Sequence, residues 1–244
     1  MKAFHNDPLI KEKYINRLKD HYKADEIIQG MYWENGKGCA VGCTVHSWEH
    51  SSFETELGIP QVLANLLDEI FEGLPNELAK EFPLQFLSAI NVGADLLKVW
   101  NYFAIWLLTD AEYGILQHVK NKKVVQDIAD AYADDITTSV SVERWKELRK
   151  VAAADAAANA AAYYAANTVY AADYAAYSAY YAAANAAYYA YYADVAYYAA
   201  AAAAVGAADA TNAAANAAAY SADAGADKKQ AWYIAASKKL IEFL

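Results

Sequence analysis

Cysteine is scarce: Cys39 and Cys43 are the two thiols in 244 residues. Two cannot staple a chain of this length, so a disulfide scaffold is excluded and both thiols are expected free. Basic side chains are also in deficit, with 20 Lys and Arg against 30 Asp and Glu and a net charge of -10. That balance argues against polymeric nucleic acid as a partner, because phosphate backbones are held by clustered cations. Proline numbers four and stops at Pro83, and neither Gly nor Pro stands between Gly114 and Gly206. Sustained alternation of apolar and polar residues is missing too, so any strands are expected to be short. The opening MKAFHNDPLIKEKY lacks the apolar stretch of an export signal, which makes the cytoplasm the expected compartment. The longest uncharged run, residues 174–193, holds eight Tyr with Asn185 in the middle and no flanking Lys or Arg, so no membrane span is expected.

What is present changes near residue 150. The length suits one large domain or two small ones. Residues 1–150 use ordinary globular vocabulary. Residues 151–226 hold 42 Ala and 14 Tyr, with five Asp and no Lys, Arg, Glu, Leu, Ile or Phe. Residues 227–244 return to normal usage, and Trp232, Ile234, Leu240 and Leu244 are expected to tie the last helix back. In the first part, Asp7-Pro8 predicts a capped helix start and Gly30 its stop. Ser51-Ser52-Phe53-Glu54 matches a capping box. Pro60 opens a helix through QVLANLLDEIFE that Gly73 and Pro75 close, and Pro83 separates two short helices. The run LLKVWNYFAIWLL (96–108) predicts a helix buried on most sides, followed by one capped at Thr109-Asp110.

Alanine's helix propensity predicts helix over 142–205. Tyr163, Tyr170, Tyr177, Tyr191 and Tyr198 fall on a spacing of sevens with Ala184 at the missing position, and Tyr174, Tyr181, Tyr188 and Val195 form a second series four residues later. That is an aromatic seam at coiled-coil spacing. A second seam, Ala165, Ala172, Ala179, Ala186, Ala193 and Ala200, would admit a partner helix closely, and a homo-oligomer through it is expected. One helix over Tyr163–Tyr198 would be about 54 Å long, ending at Gly206 with the next break at Gly225.

Chemistry concentrates in Trp33–His50, WENGKGCAVGCTVHSWEH. Asn35-Gly36 is a turn signal. Gly36, Lys37 and Gly38 before a helix resemble an anion cradle, with Gly42, Trp33, Glu34 and His46 as further ligand-binding candidates. Cys39, Cys43, His46 and His50 follow a 4-3-4 spacing that one helix would place on one face. Along such a helix Cys39 and His50 lie about 16 Å apart, too far to share one tetrahedral ion, so no metal and no cofactor is expected. A nucleophile reading makes Cys39 or Cys43 the attacking thiol, its pKa lowered by a helix N-terminus and Lys37, with His46 or His50 as base. The bland reading makes both Cys small buried hydrophobes beside structural Trp33 and Trp48. His5, His21 and His118 read as isolated surface or core residues.

The stretch ENGKGCAVGCT, with ELGIP (56–60), FEGLPNE (71–77) and the opening MKAFHNDP, resembles a family of uncharacterised bacterial and phage-encoded helical proteins with an Ala-rich heptad tail. The resemblance implies an all-helical fold. It brings no activity, and it suggests phage–host conflict by analogy alone.

The expected fold is all-α, an N-terminal multi-helix domain over 1–150 packed on the long Ala/Tyr helix of 151–226, with a C-terminal helix over 227–244. Three functions follow: a binding protein for a small anionic or nucleotide-like ligand, a hydrolase or transferase using Cys39 or Cys43 with His50, and a structural coiled-coil protein. The Gly-Lys-Gly loop favours the first, since it costs helix stability that scaffolding does not require.

Overall fold

The computed structural model describes residues 1–166, 214–215 and 225–244. Among these the fold is all-α, with one two-stranded ribbon as its only sheet. No helix among the described residues is long and apolar enough to cross a membrane. Apart from Tyr163 and Ala165 on a helix described as far as Ala166, the Tyr and Ala seams, the break at Gly206 and self-association through the Ala face lie outside the described residues.

Contacts divide the chain into two units, Met1–Val99 with Ala236–Leu244, and Trp100–Ala235. The compositional change at residue 150 marks no such division, because a helix runs straight through it.

The first unit opens with a 3-10 turn, Ala3–Asn6, in which Phe4, His5 and Asn6 all take left-handed backbone, φ 54, 50 and 61. Such turns cost about 1–2 kcal/mol per residue for side chains with a Cβ. This one persists because Phe4 is fully buried and the backbone of Ala3 exchanges hydrogen bonds with Gly93 and Ala94. Helix α1 (Pro8–Lys23) then starts as expected, with an Asp7 carboxylate oxygen accepting from the Leu9 amide at 2.8 Å. It ends well before Gly30, whose amide donates instead to Glu72.

Ribbon strands β1 (Trp33–Glu34) and β2 (Lys37–Gly38) precede helix α2 (Ala40–Val45). Every residue of α2 is buried, and α1, α4 (Gln61–Gly73) and α5 (Asn76–Ala89) all pack on it. A short helix enclosed on so many sides has room only for small side chains, which is why its sequence is AVGCTV. Helix α3 (Ser52–Leu57) forms without the expected capping box: the Ser51 side chain makes no cap, and Glu54 accepts from the Gln61 amide at the start of α4. Pro83 does not separate two helices; α5 runs through it. A mid-helix Pro removes one backbone bond at about 3 kcal/mol, offset here because Phe82, Pro83, Phe86 and Leu87 are all buried.

The second unit is built on aromatic packing. In α6 (Val99–Thr109), Trp100 donates its indole N–H to the Tyr132 hydroxyl of α7 (Lys122–Thr137) at 3.2 Å. Tyr132 also packs against Trp145 of α8 (Val142–Ala166). The run from Leu96 is less uniformly buried than its sequence suggests, since Leu97 and Tyr102 are exposed. Asp110 caps no helix; it accepts from the Glu112 and Tyr113 amides in a turn, and the next α-helix begins only at Lys122. Helix α9 is described over Gly225–Phe243, and a break before it lies outside the described residues. Its Trp232 is fully buried, lies 5.7 Å from the Trp106 ring and donates to the Tyr113 carbonyl at 2.9 Å. Ile234 is only partly buried; in the end of α9 that belongs to the first unit, Leu240 is buried and Leu244 partly so.

Candidate functional site

The Gly-rich segment folds as a hairpin, not a cradle. Asn35 and Gly36 both have positive φ, 51 and 82, the backbone of a two-residue turn between the paired residues Glu34 and Lys37. The chain then passes under its own backbone: a Cβ on Gly38 would lie 2.2 Å from the Tyr32 carbonyl oxygen, and one on Gly42 would press on Tyr32 and Trp33. These two glycines let residues 32–33 lie against α2. Lys37 is exposed on the ribbon, and Glu34 accepts from its neighbour Asn35. The six-residue α2 is capped by its own Cys39 sulfur, which accepts from the Gly42 amide at 3.5 Å. The expected use of Gly36, Lys37, Gly38 and Gly42 to face an anion is therefore corrected: the glycines serve close packing and a turn.

The shared helical face is corrected as well. Helix α2 stops at Val45, and His46 turns left-handed (φ 54) as its C-cap, so His46 and His50 leave the helix that carries Cys43. Cys39 is 2% exposed and Cys43 fully buried. Burial and the neighbouring Asp68 carboxylate push the Cys39 thiol far above its ordinary range. Burial, with a smaller contribution from Glu26, pushes Cys43 up to about 12. The helix-start amides of Val41 and Gly42 pull the Cys39 thiol down, but desolvation of the thiolate outweighs them. Iodoacetamide at neutral pH is accordingly expected to label both cysteines only at the rate of unfolding. Fast labelling of one thiol in the folded protein, read by mass spectrometry, would restore the nucleophile reading.

What the fold does bring together is a chain of three side chains from three segments. The Glu26 carboxylate meets His21 Nδ1 at 2.6 Å, and His21 Nε2 meets His46 Nε2 at 2.8 Å. All three are satisfied when His21 Nδ1–H donates to Glu26 and His46 Nε2–H donates to His21. Trp33 lies flat on the His46 ring, 4.4 Å between centroids at 8°, and edge-on to His21. His21 is thus no isolated residue. His5 also has a partner, the Thr55 carbonyl, while His118 is partly buried, which lowers its pKa. Among the described residues no group of three or more His, Cys, Asp or Glu is placed to hold a metal ion.

Beside this chain lie two adjoining hollows. One of about 810 Å³ is lined by Tyr32, Trp48, Glu49, His50, Ser51 and Gln61. Tyr32 is 71% exposed and Trp48 65%, so both side chains are largely open to solvent where they line it. The other, about 280 Å³, is lined by Tyr32, Cys39, Asp68, Glu69 and Glu72 with the Gly30 backbone. Tyr32 borders both, and His50 of the first meets Asp68 of the second at 3.1 Å. Glu72 accepts from Gly30, and burial raises its pKa.

The segments quoted for the family resemblance meet in this unit. The Lys2 carbonyl and His5 of the opening close on Gly58 of ELGIP, while Tyr14 and Gln29, outside those segments, donate to Glu56 and to the Phe71, Glu72 and Leu74 carbonyls. No protein-family model matches the chain, and neither the curated proteins nor the solved structures contain a match.

Of the residues singled out by sequence, Trp33 and His46 stack on each other, His50 lines the larger hollow and Cys39 the smaller one. Glu34 and Lys37 lie on the exposed ribbon. Sequence reasoning missed His21, Glu26, Tyr32, Gln61 and Asp68. Asp68 sits in an amphipathic helix pattern, and nothing local distinguishes it from a surface carboxylate.

Proposed function

We propose that the protein binds a small planar ligand, uncharged or cationic, in the hollow bordered by Tyr32 and Trp48. The observation that carries this reading is the pair of large aromatic rings, mostly exposed, on the rim of one hollow over the His50–Asp68 pair. Large aromatic side chains left mostly exposed are candidates for stacking, worth roughly 0.5–1.5 kcal/mol per ring pair beyond area burial. Gln61, Ser51 and His50 supply donors and acceptors for the edge of a heterocycle. The expected anionic ligand is revised on electrostatic grounds, because Glu49, Asp68, Glu69 and Glu72 line the two hollows and Lys37 is not among the lining residues. A nucleobase-like ring fits this environment better than its phosphorylated form. Sequestration of such a compound in phage–host conflict is the use that the resemblance adds.

Calorimetric titration with adenosine and AMP tests the reading. Adenosine is expected to bind saturably and AMP at least about tenfold more weakly, since the phosphate meets carboxylates. Trp48→Ala should weaken adenosine binding by up to about tenfold, the worth of one stacked ring pair. Absence of binding across a panel of nucleobases, nucleosides and aromatic amines would refute the proposal, and tighter binding of AMP would return the ligand to the anionic class.

A further inference from the structure

The stacked Trp33 and His46 join the two segments that carry the rim of the hollow. Tyr32 directly precedes Trp33, and Trp48 stands two residues beyond His46. His46 is in turn anchored to α1 through His21, only 11% of whose side chain is exposed, and through His21 to Glu26. We propose that the paired imidazoles of His21 and His46 form a protonation-sensitive clasp that holds the Tyr32 and Trp48 segments together and loosens on acidification. Its effect on binding rests on the reading of the hollow as a ligand site.

Two imidazoles that meet Nε2 to Nε2 at 2.8 Å require one bare nitrogen between them. One added proton is accommodated, because the pair still keeps one N–H facing one bare Nε2. A second sets N–H against N–H, replacing an attraction by the repulsion of two cations. Charged groups face the pair from each element packed on it: Arg17 of α1, Glu56 of α3 and Glu26 of the following loop. The carboxylates favour the first proton, and Arg17, which donates to the Thr44 carbonyl at 2.8 Å, opposes the second. Burial, Arg17 and His21 together lower the His46 pKa below its ordinary 6.5. A base whose folded value lies below its unfolded value stabilises the fold fully above the unfolded pKa, and that contribution is lost as pH falls through the folded one. The clasp is therefore closed at neutral pH and opens below about 6.5. His46 also stores backbone strain in its left-handed conformation, which opening releases.

The experiment follows the Trp33 and Trp48 indole N–H resonances by 15N NMR from about pH 7.5 to about pH 5, with adenosine affinity measured at both ends. In the wild type both resonances should move along one transition below about pH 6.5, and adenosine affinity should fall at least about fivefold across it. In His21→Gln, which keeps a hydrogen-bonding group without a titrating one, the Trp48 resonance and the affinity should stay flat, while Trp33 reports only the proton on its stacked His46. His46→Asn, suited to left-handed backbone, should likewise leave the Trp48 resonance and the affinity flat while remaining folded. A Trp33 resonance that stays put while His46 titrates, or an unchanged Trp48 transition in His21→Gln, would overturn the clasp. If the resonances move as expected and adenosine binds at neither pH, the clasp stands and the reading of the hollow fails.

Discussion

Gly38→Ala is expected to destabilise the protein by about 3 kcal/mol or more, at the upper end for overpacking, because the obstruction is backbone and no side chain can swing aside. The added methyl would sit 2.2 Å from the Tyr32 carbonyl oxygen and near Trp33 Cα. Gly38 also donates to the Glu26 carbonyl and accepts from the Ile28 amide, so relief by backbone movement breaks those bonds. Gly36→Ala provides the contrast. Nothing lies within 4 Å of its added methyl, and the cost is that of one left-handed residue, roughly 1 kcal/mol. Urea denaturation of both variants separates packing from ligand contact. A Gly38→Ala midpoint equal to that of the wild type, with ligand binding alone lost, would reinstate the cradle.

Trp232→Ala should cost roughly 3–5 kcal/mol, the range for removing a large aromatic from a closed core. Its indole packs on Trp106 and Tyr233, and the loss leaves the Tyr113 carbonyl without its donor. Trp232→Phe retains much of the apolar area and should lose about 1 kcal/mol more than packing alone accounts for, the worth of the hydrogen bond. Trp48→Ala is expected to fall within about 0.5 kcal/mol of the wild type, because a ring 65% exposed buries little. Thermal unfolding of the pair is decisive for the hollow. A Trp48→Ala variant as unstable as Trp232→Ala would make Trp48 a structural residue and remove one side of the binding site.

Local rules carried the helices a long way. Asp7-Pro8, Pro60 and Gly73 work within a few residues of themselves, and each acts in the structure as its chemistry dictates. The same rules failed where a side chain had a better distant partner. Glu54 abandons its own cap for the Gln61 amide, Gly30 gives its amide to Glu72, and Pro83 is carried inside a helix by the burial of its neighbours.

The candidate site was legible only in part, for the same reason. The sequence singles out Trp33, His46 and His50 by their crowding into one short segment. It cannot display His21, 25 residues from His46, or Asp68, 18 residues from His50. The cysteines mislead from the opposite direction: thiols near a glycine-rich turn look reactive until burial raises their pKa.

By itself the sequence determined the helical class, a turn at Asn35-Gly36 and the absence of a disulfide framework, because propensity, turn chemistry and cysteine count act over a few residues. Tertiary structure alone decided that Gly38 and Gly42 are packing residues, that the thiols are sealed, and that His21 reaches His46. Solvent exclusion and the crossing of distant backbones set those outcomes, and neither is encoded in any one stretch of the chain.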